Sequence, residues 1–162
     1  MTETRSTDLC VYGGTLPGVA AAVRAAREGL RIVLVNHTHH LGGMITNGIV
    51  QWDALSAARR CPIFDELLTR IEDHYRETSG EGSQDHINSQ YRIDRFPIGV
   101  VEPHVGERLI TKLVTDEPNI TVIPGYCVGK ARRRYRRLES VRFDPMAGEP
   151  GEPIAIEARH YI

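Results

Sequence analysis

At 162 residues, with 41% hydrophobic and 25% charged residues, the chain has the size and make-up of one globular domain with its own core. A net charge of −1 excludes a global field that would draw it to nucleic acid or to an anionic membrane. Its three cysteines, Cys10, Cys61 and Cys127, stand far apart with no C-x-x-C pair, which excludes an iron–sulfur cluster or zinc knuckle at usable spacing. An odd thiol suits a reducing compartment.

Residues 1–7 are polar, lack an apolar signal core and are expected to be a disordered N-terminus. Nowhere do 18 apolar residues follow one another, so the reading is a soluble, cytoplasmic chain. Leu9 to Tyr12 reads as the first strand, and Pro17 to Glu28 as an alanine-rich helix with Pro in its first turn and Gly29 just past its end. Arg31 to Val35, a near-continuous apolar run, reads as a central parallel strand. A loop follows from His37 to Gly48, and residues 50–100 form a helical insertion in which Pro62 to Glu77 carries the helical period. Thr78 to Ser89 is polar and reads as an exposed excursion. Pro103 to Thr115 is a further helix and Ile120 to Ile123 a third parallel strand. Tyr126 to Ala131, Leu138 to Phe143 and Ile154 to Ile162 read as strands of an antiparallel β-meander over 126–162, ending at the start of a next parallel strand. Because the chain stops inside that strand, it reads as a piece of a longer protein.

The chemistry sits where the first strand turns into the first helix. Against the spacing G-x-G-x-x-G the turn reads Gly13, Gly14, Thr15, Leu16, Pro17, Gly18: the first and third glycines are present and Thr15 holds the middle place. A helix N-terminus has unpartnered amides and partial positive charge, so this arrangement points to the pyrophosphate of a dinucleotide; a purely structural glycine turn is the alternative. Asn36 stands at the end of the second strand, where an acidic residue would accept hydrogen bonds from the adenosine ribose. Its amide can accept one such bond without charge assistance. Loss of the acid also suits a 2′-phosphate, but no arginine follows within the next few residues. The double glycine in His40-Leu41-Gly42-Gly43-Met44-Ile45-Thr46-Asn47-Gly48 lets backbone pass close to a flat or phosphorylated ligand; a flexible loop is the bland reading.

Together, Val11-Tyr12-Gly13-Gly14-Thr15-Leu16-Pro17-Gly18, then Leu34-Val35-Asn36, then His40 to Gly48, resemble the start of the FAD-dependent oxidoreductase family, and Val101-Glu102-Pro103-His104-Val105 resembles a later block of it. The resemblance implies an α/β fold of the glutathione-reductase type: a parallel, doubly wound Rossmann-like FAD/NAD(P)-binding sheet with an antiparallel β-meander, truncated at the C-terminus. It implies FAD as cofactor, with Gly13, Gly14, Thr15, Pro17 and Gly18 on the pyrophosphate and Asn36 facing the ribose. Gly42, Gly43 and Met44 would lie along the flavin side, and Val128 would meet adenine through its backbone. Residues 1–162 would be the N-terminal part of an FAD-binding domain, with the substrate domain absent and the missing C-terminal part of the polypeptide needed. The implied function is hydride transfer between a small-molecule substrate and the flavin. The alternatives are a truncated, non-catalytic nucleotide-binding remnant and an NAD(P)-binding dehydrogenase domain.

Other residues compete for attention. His37, His39 and His40 crowd one loop without a carboxylate or cysteine placed beside them, so no metal site is assigned. His40 or Thr46 could assist proton transfer, and Asp53 could act as a base, but loop positioning and helix capping explain them with fewer assumptions. No catalytic acid or base is assigned. The basic run Lys130 to Arg137, with Tyr135 in it, reads as a solvated hairpin end rather than a nucleic-acid contact. Cys10 is expected buried and inert, and Cys127 a packing residue.

Overall fold

Strand β1, Glu3–Tyr12, is ten residues long and begins well before the apolar run Leu9 to Tyr12. The computed structural model describes residues 3–48, 51–53, 61–90 and 98–162. After β1 come α1 (Leu16–Arg27), β2 (Ile32–Asn36), a short 3-10 turn at Gly43–Ile45, β3 (Gln51–Asp53), α2 (Pro62–Ser79), α3 (Gln84–Ser89), β4 (Ile98–Val100) and α4 (Pro103–Thr115). Four strands close the chain: β5 (Ile120–Pro124), β6 (Tyr126–Arg134), β7 (Arg137–Pro145) and β8 (Ile154–Tyr161).

Six of the strands form one sheet in the order β5-β2-β1-β8-β7-β6, while β3 and β4 pair by themselves. The four strands β5, β2, β1 and β8 run parallel, and β7 and β6 add to them antiparallel. Side chains alternate across the sheet with a period of two. Leu9, Val11, Ile32 and Leu34 face the helices, packing with Val19, Val23, Leu67, Ile71, Ile110 and Leu113. Cys10, Val33 and Val35 face the other way, onto Ile123, Val141, Phe143, Ile154 and Ile156. The meander thus covers the face that the helices leave, and each large apolar side chain so buried contributes about 1.5–3 kcal/mol. Alanines at positions 20, 22, 25 and 26 keep α1 slim enough to lie against β1 and β2.

Two expectations are corrected. Residues 1–7 are not a disordered tail from Glu3 onward: β8 pairs with β1 from Glu3↔Ile154 to Cys10↔Tyr161, and this ladder makes a strand of a polar segment with no local strand signal. Residues 78–89 are not merely an excursion. Helix α2 continues to Ser79, the Ser83 hydroxyl accepts from the His86 amide at 3.2 Å to cap α3, and His86 and Ser89 are buried. Trp52 and Asp53 fall on β3, while the helix cap expected ahead of residues 54–56 lies outside the described residues.

Candidate functional site: the glycine turn and its loop

At the carboxyl edge of the parallel strands three stretches of backbone meet. The Gly13 amide donates to the Val35 carbonyl at 2.9 Å, and the Gly42 amide donates to the Gly14 carbonyl at 2.7 Å, so Thr15 and Gly42 lie in a parallel bridge. Gly18 lies so close under the turn that a Cβ on it would collide with the Gly13 carbonyl oxygen. Gly42 has φ +108°, and a side chain there would also meet Ile110 Cδ1 at 2.9 Å. These positions need glycine for space, not only for flexibility.

Thr15 is the N-cap of α1, yet its hydroxyl makes no cap hydrogen bond. The first intrahelical bond runs from the Val19 amide to the Thr15 carbonyl at 2.9 Å, and the residues ahead of it, apart from Pro17, bring amides with no partner in the helix. The first turn holds no acidic side chain, so nothing offsets the positive end of the helix dipole. An unused hydroxyl, exposed at the mouth of an uncompensated helix N-terminus, is a fitting place for a phosphate group.

Asn36 closes β2 beneath this turn and is only 3% exposed. Its Oδ1 accepts from the Gly14 amide at 2.9 Å, and its Nδ2 donates to the carbonyls of Thr38 and His40 at 3.0 and 2.8 Å. The side chain expected to face a ribose is therefore turned into the protein. Thr46 is also structural: its buried hydroxyl donates to the Leu41 carbonyl at 2.7 Å, with the Gly43 carbonyl at 3.1 Å. The histidines of the loop reach outward to separate acids. His39 Nε2 lies 3.0 Å from Glu149 Oε2 in the β7–β8 connection, and His40 Nδ1 lies 2.8 Å from Glu107 Oε1 on α4. Neither acid is signalled by the sequence around the loop, because both come from more than 60 residues away.

The structure thus brings Gly13, Gly14, Thr15, Gly18, Asn36, Gly42 and Gly43 into one joint. Pro17 is exposed on the first turn of α1, and Met44 is 74% exposed on the 3-10 turn. Val128 sits in β6 opposite Phe143 and is joined to none of these by a hydrogen bond, although β6 starts at the same sheet edge, just after the Asn36↔Pro124 pair. Cys10 is buried on the meander face of β1, where loss of solvent pushes its thiol up to about 12 and keeps it protonated. Cys127 is half-buried against the Asp144 carbonyl. Among the described residues no three His, Cys, Asp or Glu side chains gather as a metal would need, and no helix is long and apolar enough to cross a membrane.

The fold is shared with solved structures of known proteins. The fold is that of the THI4 protein of Thermovibrio ammonificans, at TM-score 0.63 and 15% identity over 96% of this chain and 56% of that one. It is shared by Mycobacterium smegmatis Sdh1 in complex with UQ1 (TM-score 0.61, 19% identity, 99% and 34% covered). It is also shared by the p-nitrophenol 4-monooxygenase PnpA of Pseudomonas putida DLL-E4 (TM-score 0.59, 15% identity, 99% and 40% covered). The chain spans roughly a third to just over half the length of these proteins. No curated protein sequence matches it. Residues 8–162 match the family described as FAD dependent oxidoreductase, and the chain belongs to that family.

Proposed function

We propose that this chain carries the adenosine-diphosphate grip of an FAD-dependent oxidoreductase that moves a hydride between a small-molecule substrate and the flavin. The observation that carries the reading is the uncapped N-terminus of α1, roofed by Thr15 and tied through Gly14 to the Gly42-Gly43 loop. Amides at that N-terminus and the Thr15 hydroxyl would hold the pyrophosphate, while Gly13 and Gly18 keep the turn tight enough for it to approach. Gly43 and the exposed Met44 would flank the cofactor on the flavin side, and Val128 in β6 would offer its backbone to adenine. When bound, the flavin supplies the hydride-accepting chemistry, and this chain contributes orientation and electrostatics. His39 and His40 are engaged with Glu149 and Glu107 and are given a positioning role rather than a proton-transfer role. Three free cysteines suit the cytoplasm as its setting.

The test is a titration of the purified, folded, full-length protein with FAD, followed by quenching of flavin fluorescence and by the visible flavin bands. Saturable one-to-one binding is expected, with NAD and NADP failing to compete at equal concentration. A folded full-length protein that leaves flavin fluorescence unchanged, or that prefers NAD or NADP, overturns the proposal.

A further inference from the structure

The geometry points to Asn36 as a positioning residue: its carboxamide latches the His37–Thr46 loop to the glycine turn, and it does not serve as the ribose ligand. Its partners decide this. The Gly14 amide can only donate, and the carbonyls of Thr38 and His40 can only accept. The pocket therefore asks for one acceptor oxygen and, beside it, one nitrogen with two hydrogens. A primary amide is the side-chain group that offers both on one plane. A carboxylate of the same shape would satisfy Gly14 and aim its second oxygen at two carbonyl oxygens.

Further contacts make the latch tight. The Thr38 hydroxyl lies 3.2 Å from Asn36 Nδ2 and donates to the His40 carbonyl at 3.1 Å. A Cβ on Gly14 would stand 2.8 Å from Asn36 Cγ and 2.6 Å from Leu41 Cδ2, so the turn is packed directly onto the amide. Gly14 then passes the connection on, its carbonyl taking the Gly42 amide at 2.7 Å. One side chain thus joins both glycine motifs. With Nδ2 committed to two carbonyls, Oδ1 taken by the Gly14 amide and the residue only 3% exposed, Asn36 presents no accessible group to a ligand. An acid at this position, as the resemblance has it, would disturb the loop in this chain.

The inference has a part independent of cofactor and a part that rests on the FAD reading, and two readouts separate them. The first is thermal unfolding of the chain, Asn36→Asp and Asn36→Leu between pH 4 and 8. The titratable groups around the latch are His37, His39, His40, Glu107 and Glu149, and the wild type and Asn36→Leu carry all of them unchanged. A buried Asp facing carbonyl oxygens has its folded pKa raised above the unfolded value of about 3.9. Its stability is therefore present at low pH and lost as pH rises through the folded value. Asn36→Asp is expected to melt about 5 °C or more below wild type at pH 8 and to close part of that gap toward pH 4, where its carboxyl can donate to one carbonyl. Asn36→Leu is expected to stay below wild type with no such recovery. A gap for Asn36→Asp that does not depend on pH, or no gap at all, overturns the latch.

The second readout is flavin fluorescence quenching at pH 7.5, where Asn36→Asp is expected to bind FAD about tenfold more weakly than wild type. Equal or tighter binding by Asn36→Asp overturns the claim that Asn36 is not the ribose ligand. If wild type binds no FAD, the functional reading falls while the melting profiles still decide the latch. Should Asn36→Asp not fold at pH 8, amide exchange of the wild type decides: Gly14 and Gly42 amides exchanging as fast as those of an unstructured loop would overturn the latch.

Discussion

The two ends of the parallel strands are built in contrasting ways. At the carboxyl edge the backbone of the turn at Gly13 to Gly18 touches the backbone of the loop at Gly42, and the space a Cβ would take is already filled by the Gly13 carbonyl, Leu41, Asn36 and Ile110. At the amino end of β2 a cavity of about 450 Å³ opens among Asp8, Arg31, Arg132, Arg137, Glu139 and Arg159. The contacts there include ion pairs between long side chains, such as Arg132 with Glu139 at 3.3 Å, which water can replace. Close packing of main chain tolerates no added atom, whereas solvated charges tolerate many changes. A ligand that must lie against backbone amides can be served by the first kind of surface and not by the second.

The largest effect expected from breaking this contrast is at Gly18. Gly18→Ala forces a methyl group onto the Gly13 carbonyl, and neither segment can yield without parting α1 from β1. Destabilisation of about 3 kcal/mol is expected, read as a lower midpoint in urea unfolding. A variant as stable as wild type would show that the turn has slack, and the packed-edge description would fail.

A smaller loss is expected at Thr46, whose hydroxyl is buried against the loop it supports. Thr46→Val keeps the shape and removes the donor to the Leu41 carbonyl, leaving that acceptor without its 2.7 Å bond. A cost of about 1–2 kcal/mol is expected in the same urea experiment. Because Gly42, next to Leu41, donates to the Gly14 carbonyl, the variant loosens the edge without adding an atom to it. An unchanged midpoint would mean that the Leu41 carbonyl finds another donor.

Local sequence carried the parts of this design that local rules govern. Glycines at 13 and 18, the alanine-rich α1 and its stop at Gly29, and α4 from Pro103 to Thr115 follow from turn chemistry, capping and helical period. What the sequence hid came from distant partners. Glu3 to Thr7 became a strand because β8, some 150 residues later, slots in beside it. His39 and His40 read as an isolated cluster because Glu149 and Glu107 reach them only in the folded chain. At Asn36 the sequence showed an amide where a ribose-binding acid would stand. It did not show that the carbonyls of Thr38 and His40 converge on that amide.

The smallest effect is expected at the amino end, and its dependence on pH identifies it. Asp8 accepts from the Arg31 amide at 3.0 Å and from Arg31 Nε at 3.3 Å, with Arg159 Nε 3.6 Å away. These bonds, the backbone one foremost, hold its carboxyl below the ordinary value of 3.8. Since the folded value is the lower one, the stability that Asp8 contributes is present above pH 3.8 and lost as pH falls through the folded value. Asp8→Asn keeps an acceptor for the Arg31 amide and removes the charge. The gap in stability between wild type and Asp8→Asn should be small at pH 7, shrink in 1 M salt, and vanish as the medium is made more acidic than pH 3.8. A gap that persists undiminished in acid would mean that Asp8 acts through shape rather than charge, and the amino end would then resemble the carboxyl edge more than its ion pairs imply.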